Sequence, residues 1–198
     1  MNLLIATTNK HKLKELEIRL KSVKGLKIVG FSELDIEPPI IVEDGTTFRA
    51  NAVKKALTLS RYFEGFVLAD DSGIEVDALC GKPGVRSSRF SRINATDAEN
   101  NKKLIKLMEN VPEKKRTAQF VCVLALARKG ELLGTFEGFV KGRIVDKRKG
   151  KNGFGYDPLF QPDGCKMTFG EMPPASKNKI SHRTEALKKL EASIGKYL

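Results

Sequence analysis

Apolar and polar positions follow two rhythms along this chain. Asn2 to Ala6 is a short apolar run that predicts a buried strand, closed by polar Thr7-Thr8-Asn9. Leu13, Leu16, Leu20 and Val23 then recur at helical spacing, with Asn9 placed to cap the helix. A second strand is predicted over Lys27 to Phe31, and Pro38-Pro39 bars a helix before Ile40-Ile41-Val42. Phe48, Ala52, Ala56 and Leu59 share one face of a helix that Thr46 or Thr47 can cap. Phe66-Val67-Leu68-Ala69 reads as a buried strand running into Asp70-Asp71-Ser72-Gly73, and Ile74 to Ala78 as its return strand.

Further along, Thr96 caps a helix over Asp97 to Met108, and Gln119 to Arg128 is a long strand. Gly130 turns it into a partner over Leu132 to Val140; Gly142 to Gly155, rich in Lys and Gly, reads as a mobile loop. Ala186, Leu187, Leu190 and Ile194 give a final helix. Strands and helices alternate early, with an antiparallel pair later, which predicts an α/β fold with a mixed sheet. No shift in composition marks a boundary, and 198 residues suit a single domain.

Composition narrows the class. Hydrophobic residues make up 40% and charged residues 30%, as in an ordinary globular protein. The longest apolar run, Phe120 to Ala127, is strand-sized, so no membrane partner is expected. Charge follows the first residues too quickly for a secretory signal, leaving a cytoplasmic location by default. Cys80, Cys122 and Cys165 are widely spaced without a CxxC pair, which argues for reduced cysteines and against zinc. The net charge of +12 attracts polyanions, although lysines interleaved with glutamates also suit a solvated surface. Nucleic-acid binding is the distant alternative, unsupported by any zinc module or aromatic-rich RNA-binding motif.

Five segments carry candidate chemistry. Asp70-Asp71 places two carboxylates side by side after a buried strand, where they repel unless a cation or proton intervenes; if the strand persists, they face opposite sides. As turn formers, Asp, Ser and Gly also suit a solvated bend. Glu43-Asp44-Gly45 is a second acidic turn, suited either to the dipole of the following helix or to a shared magnesium ion. Thr7-Thr8-Asn9-Lys10-His11-Lys12 sits where strand meets helix, a place for phosphate without the glycines of a Walker loop. Phe154-Gly155-Tyr156-Asp157-Pro158 offers a ring to stack on a base, or a packed turn. Lys177 and Ser181-His182-Arg183 put cations at a helix start, where the dipole disfavours them, and so point to an acceptor on a base or to phosphate.

Together and in this order, these pieces resemble the inosine/xanthosine triphosphate pyrophosphatase family. Its most specific parts are Ala69-Asp70-Asp71-Ser72-Gly73, Lys82-Pro83-Gly84-Val85-Arg86-Ser87-Ser88-Arg89, Phe154-Gly155-Tyr156-Asp157-Pro158 and Ser181-His182-Arg183; Glu43-x-Gly45-x-Thr47-Phe48-x-x-Asn51-Ala52 adds a fifth. The resemblance implies one domain over residues 1–198, with an elongated mixed β-sheet, flanking helices and two lobes around a nucleotide-binding cleft, usually as a homodimer. It implies magnesium-dependent cleavage of ITP, dITP and XTP to the monophosphate and pyrophosphate; a preference for modified pyrimidine or a broader set of nucleotides is the nearer alternative. Asp71 would be the catalytic base and a metal ligand, and Glu43 a second metal-site carboxylate. Thr7, Thr8, Asn9, Lys10, His11 and Lys12 would cradle the phosphates, Ser72 and Lys177 would contact substrate, and Phe154, Gly155, Tyr156, Asp157, His182 and Arg183 would frame the base. The chain departs from the family at His11, where glycine is usual, and at Val85, where tyrosine is frequent.

Overall fold

The computed structural model describes residues 1–21, 23, 25–34 and 39–197, so half of the expected Pro38-Pro39 break lies outside it. The opening rhythm folds as expected. Strand β1 (Asn2–Ala6) leads into helix α1 (Lys10–Leu20), where Asn9 accepts from the N–H groups of His11 and Lys12. Strand β2 (Lys27–Val29) returns parallel to β1, and α2 (Phe48–Leu59) follows with Thr47 as its cap. The predicted face of α2, Phe48, Ala52, Ala56 and Leu59, is buried.

Strand β3 (Phe66–Val76) is where expectation and structure part. It pairs in parallel with β1, Ala6 opposite Ala69, and runs on unbroken through both aspartates instead of turning back. Two things hold it straight. Asp70 and Asp71 are 1% and 5% exposed, so they find partners inside the protein and not in a solvated turn. Gly73, lacking a Cβ, admits the 3₁₀ segment Gly84–Arg89: the Ile74 N–H donates to Ser87 Oγ at 3.0 Å, and that hydroxyl donates to the Gly84 carbonyl at 2.6 Å. A Cβ at Gly73 would overlap Ser87 Oγ and sit 2.8 Å from the Gly84 oxygen. Gly73→Ala is therefore expected to cost about 1–3 kcal/mol, read as a lower urea or thermal midpoint.

The later elements are α3 (Asp97–Met108), β4 (Thr117–Arg128), β5 (Glu131–Ile144), β6 (Phe160–Pro162), α4 (Pro174–Ile180) and α5 (His182–Ile194). The strands form one mixed six-stranded sheet in the order β2-β1-β3-β4-β5-β6, with β5 and β6 antiparallel. The stretch expected to be a mobile loop gives its first residues to β5. The rest is fastened by backbone bonds: Lys149 N–H to the Pro158 carbonyl, and Asn152 N–H to the Gly170 carbonyl, each at 2.9 Å. Short β6 and α4 were not predicted, being too brief to show a periodicity.

The chain gathers into two compact units, Met1–Asp71 with Cys122–Gly138 and Arg183–Leu198, and Ser72–Val121 with Phe139–His182. In the first, Leu3 and Ile5 of β1, Phe66 and Leu68 of β3, Leu16 and Leu20 of α1, and Ala186, Leu187 and Leu190 of α5 form one core. Alternation turns Leu4 and Val67 to the opposite side of the sheet, where α2 lies against β1. In the second unit, Ile74, Val76, Leu104, Phe120, Phe160 and Phe169 are central. Among the described residues no helix is long and apolar enough to cross a membrane.

Candidate active site

Because β1 stops at Ala6 while its parallel neighbour β3 continues, the start of α1 lies beside the aspartates. Strand alternation then separates them. Asp70 shares the side of Leu68, towards α1 and α5. Its Oδ1 accepts from Lys12 Nζ at 2.6 Å, and its Oδ2 from Arg183 Nε at 2.8 Å and from Cys122 Sγ at 3.3 Å. Arg183 Nη1 also donates to Glu15 Oε2 at 2.5 Å. Burial opposes the Asp70 charge, but Arg183 and Lys12 outweigh it and hold the carboxyl well below the usual carboxylate range. Burial, with the Asp70 charge beside it, also pushes the Cys122 thiol up, so this cysteine is held in its thiol form.

Asp71 shares the opposite side, towards α2. Its Oδ2 accepts from Asn51 Nδ2 at 3.0 Å. Burial pushes its carboxyl up to about 6; Lys55, Lys12 and the Asn51 bond pull against that, and the Glu43 charge adds to it. Lys55 Nζ donates to Glu43 Oε1 at 2.8 Å and to the Asp70 carbonyl at 2.7 Å. Asn51 Oδ1 accepts from the Gly45 N–H at 2.8 Å, so one fully buried amide ties the acidic turn to Asp71. A Cβ at Gly45 would come within 2.6 Å of that Oδ1.

Among the described residues, no three His, Cys, Asp or Glu side chains gather into a metal site of their own. Asp71 and Glu43 nonetheless suit magnesium, which commonly takes one or two protein carboxylates and completes its shell with phosphate oxygens and water. Burial is the main cause of the raised Asp71 carboxyl and the Glu43 charge adds a smaller part; a divalent cation would offset both by favouring the ionised form.

The turn expected to cradle phosphate is built by Asn9. Its side chain takes the His11 and Lys12 N–H groups at 2.9 and 3.1 Å, and its own N–H donates to Thr7 Oγ1 at 3.2 Å. Those two helix N–H groups are thereby committed to the cap. Thr8, Lys10 and His11 are exposed on the turn, and Lys12 is half-buried above Asp70.

The second unit holds the base-reading candidates. Phe154 to Asp157 is a turn closed by the Asp157 N–H donating to the Phe154 carbonyl at 3.1 Å, with Gly155 at φ 59°. Asp157 Oδ2 accepts from the Phe154 N–H at 2.9 Å and from Lys177 Nζ at 2.5 Å. The Lys177 ammonium also lies 4.7 Å over the Phe154 ring and 5.6 Å over Phe169. His182 is buried with its ring stacked on Phe120, centroids 4.7 Å apart and 9° from parallel. Ser72 follows Asp71 in β3, half-buried.

Two residues expected to frame a base have other contacts. Arg183 is 1% exposed and bonds Asp70 and Glu15 in the first unit. Tyr156 is 3% exposed, and its hydroxyl donates to the Ser87 carbonyl at 2.8 Å, so its ring belongs to the core. Asn51 and Lys55 were given no role from sequence. The available signal was their one-turn spacing on α2 and the place of Asn51 in the Glu43-to-Ala52 motif.

The chain belongs to the Ham1 family, whose model matches residues 3–193. It is 47% identical over 195 residues to the dITP/XTP pyrophosphatase of Desulforamulus reducens, covering 96% of this chain and 93% of that one. It is 45% identical over 199 residues to the protein of the same name in Thermoanaerobacter pseudethanolicus, covering 100% and 98%. A HAM1 protein from Coxiella burnetii has a solved structure that superposes with a TM-score of 0.88 at 37% identity, covering 99% of both chains. The family resemblance drawn from the motifs is thus borne out, as is the mixed α/β fold.

Proposed function

We propose that this protein is a magnesium-dependent pyrophosphatase that hydrolyses deaminated purine nucleoside triphosphates (ITP, dITP and XTP) to the nucleoside monophosphate and pyrophosphate. The observation that carries the reading is Asp71: a buried carboxyl at about 6, braced by Asn51 and set among Lys12, Lys55 and Glu43. Such a group can accept a proton near neutral pH. The names of the full-length relatives support the same substrate class.

Asp71 takes a proton from water as the water oxygen bonds to the α-phosphorus, and the bond to the β-phosphate oxygen breaks to release pyrophosphate. Lys12 and the α1 turn hold phosphate oxygens and offset their charge. Glu43 and Asp71 would hold magnesium, which supplies charge neutralisation on the triphosphate. Asp70 is the counter-charge that places Lys12, with Arg183 on its other oxygen. In the second unit, Phe154 offers a face for stacking and Lys177 a cationic donor. That donor suits a 6-oxo purine and opposes adenine, whose 6-amino group is itself a donor.

A substrate panel tests this. ITP, XTP and dITP should turn over with pyrophosphate as product, and ATP much more slowly. Orthophosphate release would refute the reaction, and equal rates on ATP the substrate class. Protons and metal compete for Asp71, so the apparent magnesium affinity should weaken as pH falls below about 6 and level off above it. Isothermal titration with a non-hydrolysable triphosphate across that range checks the sign. We further propose, on the family resemblance alone, that the protein is a homodimer, which sedimentation analysis checks, and, from the want of a secretory signal, that it is cytoplasmic.

A further inference from the structure

The base-reading turn is held from outside itself. In a four-residue turn closed from Asp157 back to Phe154, the N–H and C=O of the second residue have no partner within the turn. That residue is Gly155, and two residues one turn apart at the start of α3 take both groups. The Gly155 N–H donates to Asp97 Oδ2 at 2.6 Å, and the Gly155 carbonyl accepts from Asn101 Nδ2 at 2.8 Å. Asn101 is fully buried, and its second amide hydrogen goes to the Asp97 carbonyl at 2.6 Å. Asp97 has no capping duty to explain it. Thr96 caps α3 with Glu99: the Glu99 N–H donates to Thr96 Oγ1 at 3.2 Å, and the Thr96 N–H to Glu99 Oε2 at 2.7 Å. Asn100 points elsewhere, accepting from the Ser91 N–H at 2.8 Å and donating to the Ser88 carbonyl at 3.0 Å.

We infer that Asp97 and Asn101 are positioning residues for base recognition. They clamp the Gly155 peptide and so fix where the turn presents the Phe154 ring and the Asp157–Lys177 pair. The inference rests on the reading that this turn meets the base. Gly155 carries no side chain and its φ is positive, so the turn has little stiffness of its own. Loosening the clamp lets the ring and the carboxylate shift together, which weakens base binding while leaving the phosphate-handling residues of the first unit as they are.

The test uses the full chain with four variants, Asp97→Ala, Asp97→Asn, Asn101→Ala and Phe154→Ala. For each, KM and kcat for ITP are measured alongside competitive inhibition by inorganic tripolyphosphate, which has no base. Asp97 is exposed, so its alanine variant tests the clamp even where Asn101→Ala fails to fold. Loss of a charge-assisted bond should raise KM for ITP about tenfold in Asp97→Ala. Asp97→Asn keeps an acceptor oxygen and should restore KM to within about threefold of the parent, although it removes the same charge from the helix N-terminus. Tripolyphosphate inhibition should stay constant throughout. An unchanged KM in Asp97→Ala overturns the inference, as does equal behaviour of Asp97→Ala and Asp97→Asn, or a parallel loss of tripolyphosphate binding. If Phe154→Ala leaves KM for ITP unchanged, the base-reading role of the turn is refuted, and the inference falls with it. If Phe154→Ala raises KM while the Asp97 variants do not, the clamp alone is refuted.

Discussion

Asp71→Asn is expected to lower kcat on ITP by about 10²–10⁴-fold while leaving the protein folded. The amide keeps the shape of the side chain and an oxygen for Asn51 Nδ2, but it cannot take a proton from water. Stability should move the other way. The folded protein holds the Asp71 carboxyl at about 6, above its ordinary 3.8, so the proton-bound form is favoured on folding. Stability from this group therefore falls as pH rises between those two values and stays lower above them. A rise of about two pH units corresponds to roughly 3 kcal/mol at most near neutral pH. The neutral amide escapes that cost, so metal-free Asp71→Asn should melt higher than the parent near neutral pH and show no such gain near pH 4. A kcat within a few-fold of the parent would remove Asp71 from the role of base, and a lower melting temperature at neutral pH would contradict its burial cost.

Asp70→Asn, one residue away, is expected to do the opposite to stability. Its carboxylate is the shared counter-charge of Lys12 and of fully buried Arg183, and an amide leaves both cations underpaired. Breaking a buried ion pair from one side costs about 3–5 kcal/mol, or roughly 10 °C in a protein of this size. The Asp70 carboxyl titrates well below its ordinary value when folded. Its contribution is thus fully present above the unfolded value and lost only as pH falls through the folded one. The deficit of Asp70→Asn should accordingly be constant from neutral pH down to about pH 5 and shrink only in stronger acid. Thermal melts over that range decide the point; a deficit that vanishes near pH 6 would assign the effect to another group.

Opposite signs at neighbouring positions follow from a strand that does not turn, and this is where sequence and structure divide the work. The elements that carry a clear period were legible: β1, α1 with its Asn9 cap, α2 with its buried stripe, α3 with Thr96, and α5 with Ala186, Leu187 and Leu190. Those signals are local, set by side-chain periodicity and by hydrogen bonds that reach three or four residues. The family was legible too, because five short motifs stand in register along the chain. For Asp70-Asp71-Ser72-Gly73 the sequence left two readings open, a persisting strand with its aspartates on opposite sides or a solvated turn, and the structure takes the first. Nothing in the local sequence reports that Lys12 and Arg183 neutralise one carboxylate while Asn51 braces the other.

Arg183 shows the limit most plainly. Its type and its place at a helix start point to an acceptor on a base or to phosphate; that its Nε also pairs with Asp70, 113 residues away, has no local signal. The segment Phe154 to Pro158 offers either a ring to stack on a base or a packed turn, and Tyr156 takes the packed place, its hydroxyl donating to the Ser87 carbonyl 69 residues away. For this protein the sequence by itself determined the order of the longer periodic elements, the caps of α1, α2 and α3, and the family it belongs to. The resemblance implies Asp71 as the base, but only the tertiary structure supplies the physical cause, holding Asp70 charged and leaving Asp71 poised to take a proton. A carboxyl's charge state depends on burial and on cations brought from distant parts of the chain, and neither is written in its neighbours.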